Sequence, residues 1–180
     1  MKTSIFKLFL ATLLLGITFN SCTDDHDATA QGELYCDFNM VTENYTGYFG
    51  QRQVYDVYDI SLDGRYSSIH KIYYLGTQIE ITGAIQRGDL IRDIVIDING
   101  VGKYSLPAIE VYRDNEVISY TTRDDRGLYN FMNNAIARLN AYNEMDIIVS
   151  GQLIDRNGYV VEAAGLRISM TNMLDVDASY

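Results

Sequence analysis

The sequence predicts a mainly β fold, an antiparallel β-sandwich or partly closed barrel with one amphipathic α-helix packed on it. Three observations carry this. Apolar and polar residues alternate at period two over much of the chain, Gly-containing turn pairs punctuate the alternating runs, and one stretch, about 125–143, changes to a helical period.

The first alternating run holds Leu34, Cys36, Phe38 and Met40. Every second side chain of a strand points to the same face, so this set predicts a half-buried strand. Ile79, Ile81, Gly83 and Ile85 repeat the pattern, and Ile94, Ile96 and Ile98 alternate with Val95, Asp97 and Asn99. Asp63-Gly64, between YDISL and RYSSI, has the composition of a two-residue hairpin turn. Arg87-Gly88-Asp89 and Asn99-Gly100 mark further reversals, and Asp155-Arg156-Asn157-Gly158 closes a late hairpin, which together suit an antiparallel meander or Greek key.

A two-residue loop at Asp63-Gly64 fixes a register, with Leu62 opposite Arg65 and Asp56 opposite Lys71. One face of that hairpin then gathers Val54, Tyr58, Ile60, Leu62, Ile69 and Tyr73 and is assigned to the core. The other carries Tyr55, Asp59, Tyr66, His70 and Tyr74. The chain has 15 tyrosines, a residue of high strand propensity whose rigid amphipathic ring is also an efficient contact group. The second face is therefore the candidate ligand-binding surface, with Tyr55, Tyr66 and Tyr74 as contact rings and Asp59 and His70 as polar anchors.

Between Asp125 and Asn143, Leu128, Phe131, Met132, Ala135, Ile136, Leu139 and Tyr142 form a continuous stripe on a 3.6-residue helix. Asp124 or Asp125 can cap its start and Asn143 suits its end. A stripe this wide must cover an apolar sheet face or a barrel mouth. Two strands follow, Asp146–Ile154 and Gly165–Met173, the latter with Leu166, Ile168 and Met170 in phase. The run VSGQLIDRNGYVVEAAGLRI, 149–168, is similar to the β-hairpin of transthyretin-like and carboxypeptidase-regulatory sandwich modules, although it has no proline after the turn.

The first 21 residues have a basic start, Lys2 and Lys7, and an apolar run from Leu8 to Ile17 that is too short to span a bilayer. They predict a secretory signal peptide. Phe19-Asn20-Ser21-Cys22 follows, then the acidic stretch Thr23-Asp24-Asp25-His26-Asp27. A small residue directly before a cysteine resembles the lipobox of bacterial lipoproteins. Phe19 and Asn20 stand where Leu and a small residue are common, and that looser form, with the acidic tail, is similar to the surface-exposed outer-membrane lipoproteins of Bacteroidota.

The resemblance covers about the first 27 residues and implies an address, not an activity: lipidation of Cys22 and attachment to the outer membrane, facing the exterior. A three-chain N-terminal lipid would anchor firmly, because each buried methylene contributes about 0.8 kcal/mol. The expected organisation is a signal peptide over 1–21, an acidic flexible tether over 22–32, a single β-rich domain over 33–174 and a C-terminal tail over 175–180.

Without Lys2 and Lys7, 12 Lys and Arg stand against 24 Asp and Glu, a formal charge of −12 that repels nucleic acid and anionic headgroups. With Cys22 lipidated, Cys36 has no disulfide partner, and its phase makes it a buried apolar thiol. The 159 residues after Ser21 are enough for one hydrophobic core.

The sequence offers little chemistry. The β-rich region holds one histidine, His70, and the chain contains no Trp, no H-E-x-x-H, no G-x-S-x-G and no P-loop. A lone histidine does not assemble a zinc site, and the Asp155 turn lacks the later carboxylates of a calcium loop, so no metal or cofactor is expected. Asp56 and Asp59, three apart on a strand, point to opposite faces and cannot flank one glycosidic bond. The sequence thus reads as a non-enzymatic lipoprotein that binds a ligand, or a protein or glycan partner, at the cell surface. Two alternatives stand beside it: a lipocalin-like barrel carrying a small apolar ligand, whose usual Gly-x-Trp is missing here, and an inhibitor or immunity-type protein.

Overall fold

The computed structural model describes residues 27–42, 47–163 and 165–179; the expected signal peptide, Cys22 and the acidic stretch through His26 lie outside them. In chain order the elements are β1 (Asp27–Asn39), β2 (Val41–Thr42), β3 (Tyr48–Asp56), a 3-10 turn (Val57–Asp59), β4 (Ile60–Leu62), β5 (Ser68–Thr82), β6 (Leu90–Ile98), β7 (Gly102–Ser105), β8 (Ile109–Glu110) and β9 (Ile118–Thr121). Helix α1 (Arg126–Tyr142), β10 (Glu144–Ile154), β11 (Val160–Val161) and β12 (Arg167–Ser179) complete them.

Among the described residues the strands form two antiparallel sheets. The first runs β4-β1-β12-β5-β9, and the second runs β2-β3-β10-β6-β7, with β11 added to β10 and β8 to β6. Their inner faces share one core, the arrangement of a β-sandwich. The sheets keep separate edges instead of closing on each other, so the barrel and the calyx that a lipocalin-like carrier requires are not formed.

Outside the Asp63-Gly64 region, period-two patterning places the core as expected, whereas Val54, Tyr58 and Tyr73, assigned to the core from the hairpin expected there, are exposed and Tyr74 is buried. Leu34, Cys36 and Phe38, Ile79 and Ile81, Ile94, Ile96 and Ile98, and Ile168 and Met170 are all buried. Burial raises the Cys36 thiol well above its ordinary pKa, as expected of an inert core thiol. The helix also matches: Leu128, Met132, Ala135, Ile136 and Leu139 are buried. The Asp125 carboxylate accepts the Leu128 N–H at 3.0 Å, and Asn143 ends the helix at φ 60°. Tyr142 departs from the stripe: it is 67% exposed, with the Arg138 guanidinium over its ring.

Helix α1 packs on β5 and β10. It also protects an edge. Strand β9 pairs with β5 only from Gln78 to Ile81, and beyond that Asn140 on α1 accepts the Ile72 N–H at 3.0 Å. Covering an unpaired strand edge removes a template for intermolecular pairing.

The Asp63-Gly64 hairpin is not formed. Residues on its two sides join different partners: β4 pairs with β1 through Leu62↔Gly32 and Ile60↔Leu34, whereas β5 pairs with β12. Strands β1 and β12 lie between β4 and β5, so the loop crosses an end of the sheet. The Asp56–Lys71 pair is replaced accordingly. Asp56 faces Glu144 and caps the 3-10 turn, while Lys71 faces Asp177 and sits over the Tyr73 ring. Long-range pairing with β1 and β12 covers more backbone than a short hairpin at Asp63-Gly64 could.

Two other reversals are real hairpins: Asn99-Gly100 joins β6 to β7, and Asp155–Tyr159 joins β10 to β11. Around the second, the Asp155 carboxylate accepts the Asn157 and Tyr159 N–H groups, a tight turn closed by its own side chain. The ends differ from expectation as well. Strand β1 begins at Asp27, inside the stretch expected to be tether, and β12 runs through residues expected to be a tail, because Asp27–Gln31 pair with Asp175–Ser179.

Candidate functional site

Of the two longest ladders of the first sheet, β1 on β12 is unbroken and β12 on β5 carries a bulge at the middle of the sheet. Met173 pairs with Gly76 and Leu174 with Tyr74, which leaves Leu75 as the extra residue. A bulge re-aims side chains and increases twist, and bulges favour functional positions. Here it turns Leu75 outward beside Met173, leaving them 50% and 44% exposed in the middle of an otherwise polar face. Gly76 lets Met173 and Thr122 approach, since a Cβ there would lie 3.2 Å from Thr122 Oγ1 and 3.3 Å from Met173 Cε.

A depression opens on each side of this apolar pair. One, of about 470 Å³, is walled by Gln31, Glu33, Ser61 and Asp63. The other, of about 700 Å³, is walled by Gln78, Thr121, Arg123, Asp124 and Tyr129. Leu75 and Met173 line both, so the apolar pair stands between two depressions with hydrogen-bonding walls, together called the groove.

Beneath the groove lies a buried polar network. Tyr74 and Thr77 share a hydroxyl–hydroxyl bond of 2.8 Å, and Thr77 donates to Asn172 Oδ1 at 2.6 Å. Asn172, fully buried, donates its amide to the Leu34 carbonyl at 3.1 Å, and Thr122 Oγ1 accepts the Thr77 N–H at 2.9 Å. Burial raises the Tyr74 phenol above its ordinary pKa. The Tyr74 ring packs at 5.1 Å from that of Tyr129 on α1. Satisfied buried networks are rigid, so this one fixes β5, β12, β1 and the β9–α1 connection relative to one another below the groove.

The electrostatics of the outer face are acidic. Glu33 faces Met173 directly and Asp175 lies between Gln31 and Tyr73. Among the described residues, neither carboxylate makes a hydrogen bond or ion pair. Lys71 sits over the Tyr73 ring and Arg167 pairs with Asp37 and the Tyr35 hydroxyl, while Arg123 lines the wider depression. Among the described residues no three His, Cys, Asp or Glu side chains gather as metal ligands.

The five residues taken from the sequence as a binding face do not share one. Tyr55 sits on β3 in the other sheet, half-buried edge-to-face against Phe38, and its hydroxyl accepts the Asp37 N–H at 2.8 Å. Burial pushes its phenol up to about 12. Asp59 is committed to the 3-10 turn, accepting the Asp56 N–H at 2.8 Å. Tyr66 lies in the loop after β4, its hydroxyl donating to the Asp63 carbonyl at 3.3 Å. His70 lies at a second bulge of β5, its Nε2 3.1 Å from Ser179 Oγ and 3.3 Å from Ser68 Oγ. Tyr74 alone adjoins the groove, but from beneath, as part of the buried network.

Leu75 and Met173 were legible as anomalies. In Asn172-Met173-Leu174 the amide takes the buried phase of β12 and the thioether the outward one, the reverse of ordinary patterning. In Leu75-Gly76 an apolar residue at the outward phase precedes a strand glycine, a bulge signal. Compared with known protein families, curated proteins and solved structures, the chain matches none.

Proposed function

We propose that the chain is a non-enzymatic binding module, held at the outer face of the outer membrane by a lipid on Cys22, whose ligand or partner seats on the Leu75–Met173 groove. The observation that carries this reading is the outward-turned apolar pair at a mid-sheet bulge. Exposing such a pair offers no folding benefit, whereas a small apolar centre inside a polar rim is what a recognition surface presents. The network under the groove supports a preformed site, which lowers the ordering cost of binding. Its hydroxyls are bonded to one another, which supports positioning rather than reaction.

The site is tested by replacing both exposed apolar residues, Leu75→Ser with Met173→Ser, and comparing capture of protein and glycan from intact outer membranes by wild type and variant. Because both side chains are about half solvated, the thermal midpoint should fall by only a few degrees, while capture should fall about tenfold or more. Undiminished capture by the folded variant removes the groove from the proposal. The anchor is tested separately: Cys22→Ala should abolish incorporation of a fatty-acid analogue, and labelling of the variant to the wild-type level rules the anchor out.

A further inference from the structure

We infer that the outer face of the second sheet is a two-fold interface between copies of this chain, with β10 lying along the axis. The first ground is what this face presents. Met145, Ile147 and Val149 on β10 are buried, so alternation turns Asp146, Ile148 and Ser150 outward on the central strand of the sheet. Ile148 is 41% exposed, and on β3 Val54 and Tyr48 are 50% and 42% exposed. Gly50 lies between those two on the same face. A Cβ there would meet the Val149 carbonyl oxygen at 3.6 Å and Ser150 Cβ at 3.7 Å, so no close contact among the described residues requires glycine. A strand glycine without an internal cause suits close approach by another chain.

The second ground is the order of residues across the strands. From β3 through β10 to β6, one row reads Arg52, Ile148, Asp97 and the next reads Gly50, Ser150, Val95. A two-fold axis along β10 lays each row on its own reverse. Arg52 then meets Asp97 of the second copy, Ile148 meets Ile148, and Val95 of the second copy fills the space over Gly50. The charges also select this axis over the other that a face-to-face pair allows. Turning the second copy about a line across the strands would set Arg52 on Arg52 and Asp97 on Asp97, which repels.

Within one copy, Arg52 pairs with Asp146 at 2.7 Å and Lys103 with Asp97 at 3.2 Å, and both cations stay largely exposed. Exposed pairs of this kind contribute little alone, whereas a facing copy joins them into one network of alternating sign with Ile148 at its centre. The extent of the face sets the strength. Four strands about 4.8 Å apart, over the nine residues of β3 at about 3.4 Å each, cover roughly 600 Å² per copy, the low end of specific interfaces. The expected dimer is therefore weak, with a dissociation constant on the order of 10 μM. The Leu75–Met173 groove lies on the other sheet, so both copies keep it open.

Sedimentation velocity of the full-length protein in nonionic detergent tests this. Wild type should pass from monomer to dimer as its concentration rises from about 1 to about 100 μM. Arg52→Asp or Asp97→Arg alone should raise the dissociation constant about tenfold or more, because each sets like charges face to face, and the two together in one chain should restore the dimer. A wild type that stays monomeric overturns the interface. So do single reversals that leave the dimer intact, or a folded double variant that fails to recover it. Crosslinking gives a reading that does not depend on those charges and decides the matter if a reversal fails to fold. Ile148→Cys, at the axis, should be joined into dimers by a short bismaleimide well above the wild-type background, whereas Leu75→Cys, exposed on the other sheet, should not. Equal yields from these two variants overturn the interface as well.

Discussion

The phenol of Tyr104 on β7 donates a 2.5 Å hydrogen bond to the carboxylate of Asp125, the residue that caps the N-terminus of α1. One carboxylate thus ties the helix to the second sheet and satisfies a helix-end N–H group. The Tyr104 bond, then the Leu128 N–H, hold Asp125 below the usual carboxylate range. Burial, then the bond to Asp125, push Tyr104 up to about 12.

These two shifts act at opposite ends of the pH scale. Asp125 is depressed in the fold, so its contribution is present above the unfolded value near 3.9 and is lost as pH falls through the lower folded value. Tyr104 is raised, so its contribution is full below about 10 and disappears as pH climbs through the folded value. Urea unfolding of Asp125→Ala should show a loss of about 0.5–2 kcal/mol at neutral pH and a shallower acid limb. Tyr104→Phe should flatten the alkaline limb. Limbs that stay as steep as those of the wild type would assign the slopes to other groups.

Removing the buried amide should be costly. Asn172→Ala removes the bonds of this amide to the Leu34 carbonyl and the Thr77 hydroxyl, while Thr77 keeps its bond to Tyr74, so the loss should be about 1–3 kcal/mol. Adding Thr77→Val to Asn172→Ala should cost less than the sum of the single changes, since each single change already removes the one bond between these two side chains. Strict additivity in chemical denaturation would mean that the two side chains do not act together.

Tyr74→Ala should unfold the protein more readily instead of acting on binding alone. Its ring is buried against Tyr129 beneath the groove, and a truncation of this size costs about 3–5 kcal/mol. Tyr74→Phe, which keeps the ring and loses the bond to Thr77, should cost about 1 kcal/mol. A midpoint for Tyr74→Ala equal to that of the wild type would contradict the packing.

Gly83 follows β5 at φ +147°, and a Cβ there would lie 2.6 Å from the Gly165 carbonyl oxygen and 2.8 Å from Leu166 Cα. Both obstacles are backbone, so no side-chain rotation relieves them. Gly83→Ala should cost about 2 kcal/mol or more through combined strain and overpacking. Calorimetry showing a melting temperature within a degree of wild type would refute this.

Periodicity in the sequence is enough to give the buried phase of β1 and β6 and the place of the helix, but not the inner face around Asp63-Gly64, where Val54, Tyr58 and Tyr73 are exposed and Tyr74 is buried. Leu34 to Phe38, Ile94 to Ile98 and the Leu128–Leu139 stripe follow from periodicity, because a strand or helix presents one face whatever its partners are. The caps are legible too, as Asp124 or Asp125 and as Asn143, because a cap acts within a few residues of its own position; the structure selects Asp125. Partnership was decided only by the tertiary structure. Asp63-Gly64 has a hairpin's composition, yet β4 and β5 pair with β1 and β12, because a strand finds its neighbours through long-range burial that local turn chemistry cannot encode. That choice dispersed Tyr55, Asp59, Tyr66, His70 and Tyr74. It also slipped Leu75 out of register opposite Met173, nearly a hundred residues away, and so created the groove.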